Sequence, residues 1–169
     1  MTFTLRRATE SDRTYIQRLN FLTEVFGDEA RDATEDLLPS VSAYVDDWDP
    51  DRDGGIIAID QHGIPAGGVW LRYWSSPDDY GLANLGPDIP ELAIAVENRF
   101  AGFKLGAQLL DAACELARSQ GARHIALWVA PDNERAHHRY RASGFTEVPP
   151  GDSGRHPVTM VRELDAGSN

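Results

Sequence analysis

The chain has 169 residues, 41% of them hydrophobic and 25% charged, a make-up that fits one globular domain long enough to bury a sizeable core. A net charge of -11 opposes general binding to nucleic acid or to an anionic membrane, and makes a cationic or amine partner electrostatically easier. No apolar run approaches the ~20 residues that span a bilayer, the first residues lack the hydrophobic region of a secretory signal, and a single cysteine, Cys114, excludes an internal disulfide.

Residues 3–8 alternate and predict a first strand. Thr9 then offers an N-cap with Glu10 and Asp12 behind it, and Tyr15, Ile16, Leu19, Leu22 and Phe26 recur at helical spacing, so a helix is expected to about Gly27. After a break at 28–31, a second helix is expected with Thr34 as cap and Leu37, Leu38, Val41, Tyr44, Val45 and Trp48 as its apolar stripe. Pro39 falls near the first turn of that helix, where proline does least harm. The acidic run 46–55 lacks the spacing and late glutamate of an EF-hand loop and reads as a solvated loop. Residues 56–60 and 64–74 form two strands of a hairpin around Gln61, His62 and Gly63. Residues 75–90, rich in Gly, Pro, Asp and Asn, predict a long, substrate-facing loop.

The most informative stretch follows. Leu92, Ile94 and Val96 alternate with Ala93 and Ala95, giving a strand with one bulky and one small face. Beyond it Leu105, Leu109, Ala113, Leu116 and Ala117 recur at helical spacing until about Gln120, with Gly121 as the stop. Gly102 and Gly106 allow a tight turn between the two, and the free N–H groups that open the helix point into it. Such a turn favours a phosphate-bearing ligand. Residues 123–129 supply another strand, and strand–helix–strand predicts a parallel pair. Asn133 opens a helix that Ser143 and Gly144 close, and residues 145–148 and 157–164 make a last strand pair. Residues 1–165 read as one domain and 166–169 as a frayed tail, with no internal repeat or linker.

Neither G-x-G-x-x-G nor G-x-x-x-x-G-K-[ST] is present, which argues against a dinucleotide fold and a P-loop NTPase. What remains resembles the GNAT superfamily of acyl-CoA-dependent N-acetyltransferases. The resemblance rests on residues 96–110 and on Asn133, Ala136, Tyr140, Gly144 and Phe145 in N-x-x-A-x-x-x-Y-x-x-x-G-F spacing; with Arg6, Arg7, Thr9 and Asp12 at the family-like start, it covers nearly the whole chain. It implies a mixed α/β fold with a mostly antiparallel central sheet flanked by helices and a splayed parallel strand pair. It also implies transfer of an acetyl group from acetyl-CoA, as co-substrate and without a metal, to the primary amine of a small molecule or peptide, by direct attack in a ternary complex. A cytoplasmic location is expected, and a homodimer is allowed. The pantetheine arm would lie along Ile94, Ala95 and Val96, and the pyrophosphate in the turn of Ala101, Gly102, Phe103, Lys104, Leu105, Gly106 and Ala107. That turn departs from the family's R/Q-x-x-G-x-G/A: Ala101 replaces the polar residue and Lys104 a glycine.

Asn133, Ala136 and Tyr140 share a helical face, so Asn133 can meet a pantetheine amide, Ala136 leaves room for the arm and Tyr140 can approach its sulfur. The resemblance makes Tyr140 the general acid for the departing thiolate; the competing reading is that it packs Gly144 and Phe145 against the sheet. Glu91 shares the parity of Ala93 and Ala95, which would aim it into an acceptor cleft as the base for the amine, or else it is a solvated strand end. His137 and His138 point about 100° apart and read as a solvated pair, and Cys114 as an inert buried thiol. Trp70, Tyr73 and Trp74 fit either a pocket wall or a packed strand. A non-catalytic CoA-binding or protein-interaction module on the same fold is the rival reading, kept open by Ala101 and Lys104. Transfer to oxygen, or of a longer acyl group, is a third.

Overall fold

The computed structural model describes residues 1–25, 27–30, 37–149 and 158–165. The expected positions of Phe26, Thr34 and the tail 166–169 therefore lie outside the described residues. Strands β1 (Thr4–Arg7), β2 (Gly55–Ile59), β3 (Pro65–Arg72), β4 (Glu91–Val96), β5 (His124–Val129), β6 (Thr146–Glu147) and β7 (Val158–Glu163) form one sheet in the order β1-β2-β3-β4-β5-β7-β6. Every neighbouring pair is antiparallel except β4 with β5. This is the mixed, mostly antiparallel sheet with one parallel pair that the sequence predicts.

Alternation along the strands sorts side chains to two faces. Ile56, Val69, Leu71, Leu92, Ile125 and Leu127 pack with Leu105, Leu109, Leu110, Ala113 and Leu116 of α3 (Leu105–Ser119). On the opposite face, Ile57, Trp70 and Trp74 pack with Ile16, Leu19 and Leu22 of α1 (Arg13–Glu24) and with Tyr44, Val45 and Trp48. Helices thus cover both sides of the sheet. A short 3₁₀ turn, Glu10–Asp12, leads into α1. Asp12 anchors it by accepting the Thr9 N–H at 2.8 Å and both arms of Arg6 at 2.8 and 2.7 Å.

The second helical segment differs most from expectation. Only Leu37–Val41 (α2) is α-helical; Ser42–Asp46 widens to a π-helix. Such a wide turn leaves carbonyls needing outside donors. Trp70 Nε1 donates to the Tyr44 carbonyl at 2.9 Å, Arg72 Nε to that of Ala43 at 2.6 Å, and Arg13 to that of Val45 at 2.5 Å. Leu38, placed in the apolar stripe by its spacing, is 80% exposed. The acidic run is likewise not wholly solvated. Asp53 is 0% exposed and holds Arg72 at 2.8 Å while accepting the N–H groups of Asp49 and Tyr73, so a buried ion pair hides inside a composition that looks like a surface loop. Among the described residues no helix is long and apolar enough to cross a membrane.

Candidate active site

The sheet is incomplete at its middle. β4 and β5 are in register at a single pair, Glu91 with Ala126, and the Ala126 N–H reaches the Pro90 carbonyl at 2.9 Å. Beyond that rung a cleft of about 600 Å³ opens, with Ile94, Ala95 and Val96 on one side and Trp128, Val129 and Ala130 on the other. At its far end the chain passes through a 3₁₀ turn, Asn98–Phe100, and enters α3. Gly102 takes φ +87°, which glycine adopts without strain, but Lys104 does so at φ 62° with a full side chain. Lys104 thus occupies the left-handed position immediately before α3, where the helix presents its free N–H groups.

Of the residues predicted to hold a cofactor, Ile94, Ala95, Val96, Ala101, Gly102, Lys104, Leu105, Gly106, Ala107, Asn133 and Ala136 all line this one cleft, together with Tyr140. Phe103 does not line it and is 43% exposed. Arg135 and Arg139 line the cleft as well and were missed by the sequence reading. Their signal was there: they repeat the i, i+4 spacing of Ala136 and Tyr140 one residue earlier on the same helix. A Cβ on Gly106 would stand 3.2 Å from Arg139 Nη1, so the small residue lets that guanidinium approach the start of α3. Three cations therefore gather at the cleft of a chain whose net charge is -11.

Asn133 precedes α4 (Glu134–Ala142) rather than lying within it. Its side-chain oxygen caps the helix by accepting the Ala136 N–H at 3.2 Å, a local role that its spacing with Ala136 and Tyr140 did not suggest. Tyr140 is half-buried and meets Phe145 edge-on at 6.2 Å, so it both packs and lines the cleft. Burial raises its phenol pKa. Among the described residues its hydroxyl has no hydrogen-bond partner. Tyr140 also borders a second, smaller pocket of about 40 Å³ shared with Asn20, Ser40, Tyr44 and Ala93 on the α1 side of the sheet. Asn20 and Ser40 are buried and bonded to each other at 3.1 Å.

Glu91 lies on the Ala93 and Ala95 face, as its parity requires, but it is not a solvated strand end: it is 1% exposed and lines neither cavity. One carboxylate oxygen accepts the Ala83 N–H at 2.9 Å and Trp74 Nε1 at 3.1 Å; the other accepts the Tyr44 hydroxyl at 2.5 Å. Desolvation raises its pKa to about 7, against those three donors and the nearby Arg72. The donors Tyr44 and Trp74 were invisible as partners in the sequence, because they are 47 and 17 residues away.

Trp70 and Trp74 are buried core residues, and the Tyr73 hydroxyl donates to Gln120 at 2.6 Å. His138 is exposed, whereas His137 is buried, with Nε2 3.2 Å from the Ala130 carbonyl, so the expectation of a solvated pair fails for it. Cys114 is a buried thiol whose pKa is pushed up by desolvation.

Known proteins resemble this chain in sequence and in fold. Residues 20–145 match the family model described as Acetyltransferase (GNAT) family. A mycothiol acetyltransferase of Propionibacterium freudenreichii subsp. shermanii is 32% identical over 121 residues, covering 72% of this chain and 36% of that protein; the chain thus spans about a third of that curated relative's length. Among solved structures, an acetyltransferase of the GNAT family from Staphylococcus aureus Mu50 aligns with a TM-score of 0.66 at 17% identity, over 97% of this chain and 100% of that one. A GNAT superfamily phosphinothricin acetyltransferase from Sinorhizobium meliloti, solved in complex with acetyl-CoA, aligns with a TM-score of 0.66 at 17% identity, over 99% of this chain and 91% of that one.

Proposed function

Because the chain belongs to the acetyltransferase (GNAT) family, we propose that it transfers an acetyl group from acetyl-CoA to a primary amine of a small molecule or peptide, by direct attack in a ternary complex. The observation that carries this reading is the meeting of two cavities at Tyr140 where β4 and β5 part. The larger is long, has a cationic end and suits a cofactor with an extended arm and a charged terminus. The smaller opens on the opposite face of the sheet and would receive the amine.

In this reading the backbone of Ile94, Ala95 and Val96 binds the amides of the pantetheine arm, as an unpaired strand side binds an added strand. The turn from Ala101 to Ala107 and the start of α3 hold the pyrophosphate, with Lys104, Arg135 and Arg139 adding charge. Ala136 leaves space beside the thioester. When the amine attacks the thioester carbonyl, a tetrahedral intermediate forms and the C–S bond then breaks. Tyr140 donates its phenolic proton to the leaving thiolate and is reprotonated by the second proton that the amine nitrogen sheds as the amide forms. A phenol without a competing hydrogen bond among the described residues is free to turn toward the sulfur. Glu91 is the base that receives the proton of the incoming amine, since its raised pKa suits it to accept one near neutral pH.

Titration calorimetry should give saturable binding of acetyl-CoA. Tyr140→Phe should slow CoA thiol release by ~10² or more while leaving acetyl-CoA affinity within about twofold, the usual span for a lost general acid. Absence of acetyl-CoA binding would overturn the proposal. Equal loss of binding and turnover in the variant would remove Tyr140 as the acid.

A further inference from the structure

Glu91 has a difficulty as a base that its position makes plain. Its carboxylate lines neither cavity, and every described group touching it is a donor from the protein. A proton released in the small pocket must therefore reach it through one of those donors. The Ala83 amide and the Trp74 indole can give a hydrogen bond but have no lone pair with which to receive one from the other side. A hydroxyl can do both. Tyr44 donates to Glu91 Oε2 at 2.5 Å, accepts the Leu82 N–H at 2.9 Å, keeps one lone pair, and lines the pocket that Tyr140 also borders.

Resting on the transferase reading above, we infer that Tyr44 is a catalytic proton relay: its oxygen takes the proton from the acceptor ammonium while its own proton passes to Glu91. The step balances. The N–H bond of the ammonium breaks as an O–H bond forms on Tyr44. The original Tyr44 O–H breaks as one forms on Glu91, leaving a neutral amine, a neutral tyrosine and a neutral carboxylic acid. After the products leave, the reverse shift returns Glu91 to its charged form and delivers one proton to solvent, as the overall acylation of an ammonium requires. No free phenolate is formed, which matters because burial beside Glu91 raises the Tyr44 pKa well above its ordinary value.

The surroundings hold this pair in place. The π-helical turn carries Tyr44, whose ring meets Trp74 edge-on at 5.2 Å and Tyr80 at 6.4 Å. The titratable and charged groups facing Glu91 are Tyr44 from this turn and Arg72 from β3; Arg72 stacks over Trp74 at 4.7 Å and is paired with Asp53, while Tyr80 faces Tyr44 and Glu24 of α1 lines the small pocket. Ala126 is its neighbour on β5 and the amide of Ala83 faces it from the loop, so neither brings a charge.

The test follows CoA thiol release at saturating acetyl-CoA with the fastest alkylamine from a panel of polyamines, amino acids, aminoglycosides and lysine-ended peptides, and with hydroxylamine, which is already largely neutral at pH 7. Tyr44→Phe keeps the ring and should lower kcat/KM for the alkylamine by ~10² or more, but that for hydroxylamine far less, because only the former must lose a proton first. Native kcat/KM for the alkylamine should be level between pH ~7 and ~10, where Glu91 is charged and the amine still protonated. That profile needs no variant, and Glu91→Gln should abolish the level region if Tyr44→Phe fails to fold. A native profile that climbs tenfold per pH unit, an unchanged Tyr44→Phe rate, or equal losses with both amines would overturn the relay alone. No thiol release with any amine would overturn the transferase reading and the relay with it.

Discussion

Lys104 holds the one left-handed backbone position taken by a non-glycine side chain among the described residues. That conformation costs an L-residue about 1–2 kcal/mol relative to glycine, partly offset because glycine gains freedom when the chain unfolds. A lysine kept at such a cost beside a cationic cleft points to a use for its charge. Lys104→Gly should therefore raise unfolding free energy by up to about 1 kcal/mol in urea titration. The same change should weaken acetyl-CoA binding several-fold by calorimetry, with a shallower salt dependence. At this scale the sequence was legible in placement where chemistry and spacing coincide, as at Tyr140 and Ala136, which line one cleft. It was not legible where burial decides. Asp53 and His137 look like solvent residues by type, and only the partners the fold brings to them (Arg72, the Ala130 carbonyl) turn them inward.

Among the elements, the start of α4 carries two duties on one residue. The Asn133 side chain caps the helix through its oxygen and also lines the cleft. Asn133→Ala should lower stability by about 1 kcal/mol through the lost cap. Asn133→Asp keeps a capping acceptor and should leave stability nearly unchanged, while its new negative charge beside the cationic cleft weakens acetyl-CoA binding. Denaturant titration with calorimetry on both variants separates the duties; unchanged acetyl-CoA affinity in Asn133→Asp would show that capping is the only one. Sustained periodicity made β3, β4 and α3 readable to within a residue or two. The π-helical turn escaped because its geometry comes from Arg13, Trp70 and Arg72 drawing on its carbonyls, and no local residue pattern encodes those long-range donors.

For the whole molecule, the buried Glu91 sets an unusual pH dependence. Its pKa rises from an ordinary 4.5 to about 7 on folding, so the folded protein holds a proton there that the unfolded chain has already lost. Its contribution is fully present below pH 4.5 and fades as pH rises through 7, a change on the order of 3 kcal/mol. Asp12 works in the opposite sense. The hydrogen bonds from Arg6 hold its carboxyl below the usual range, so its contribution is present above that range and lost on further acidification. Stability should peak near pH ~5 and decline toward pH ~8. Thermal unfolding across this range should show that decline in the native protein and a flatter profile in Glu91→Gln. The split of the sheet was expected from a resemblance that links motifs to architecture; the charged residue walled in at its apex was not, since parity reports a face and says nothing of depth.

That single rung between β4 and β5 gives the protein two inner sheet margins in addition to the outer ones on β1 and β6. Open margins ordinarily invite other chains to add on, and proteins blunt them with charge, proline or twist. Here the inner margins part beyond one rung and line the cleft of about 600 Å³. In the proposed reading a thin, unbranched chain carrying occasional amides lies between these margins, where another strand would otherwise add. On that reading, what is usually an aggregation hazard becomes the place where the co-substrate is held.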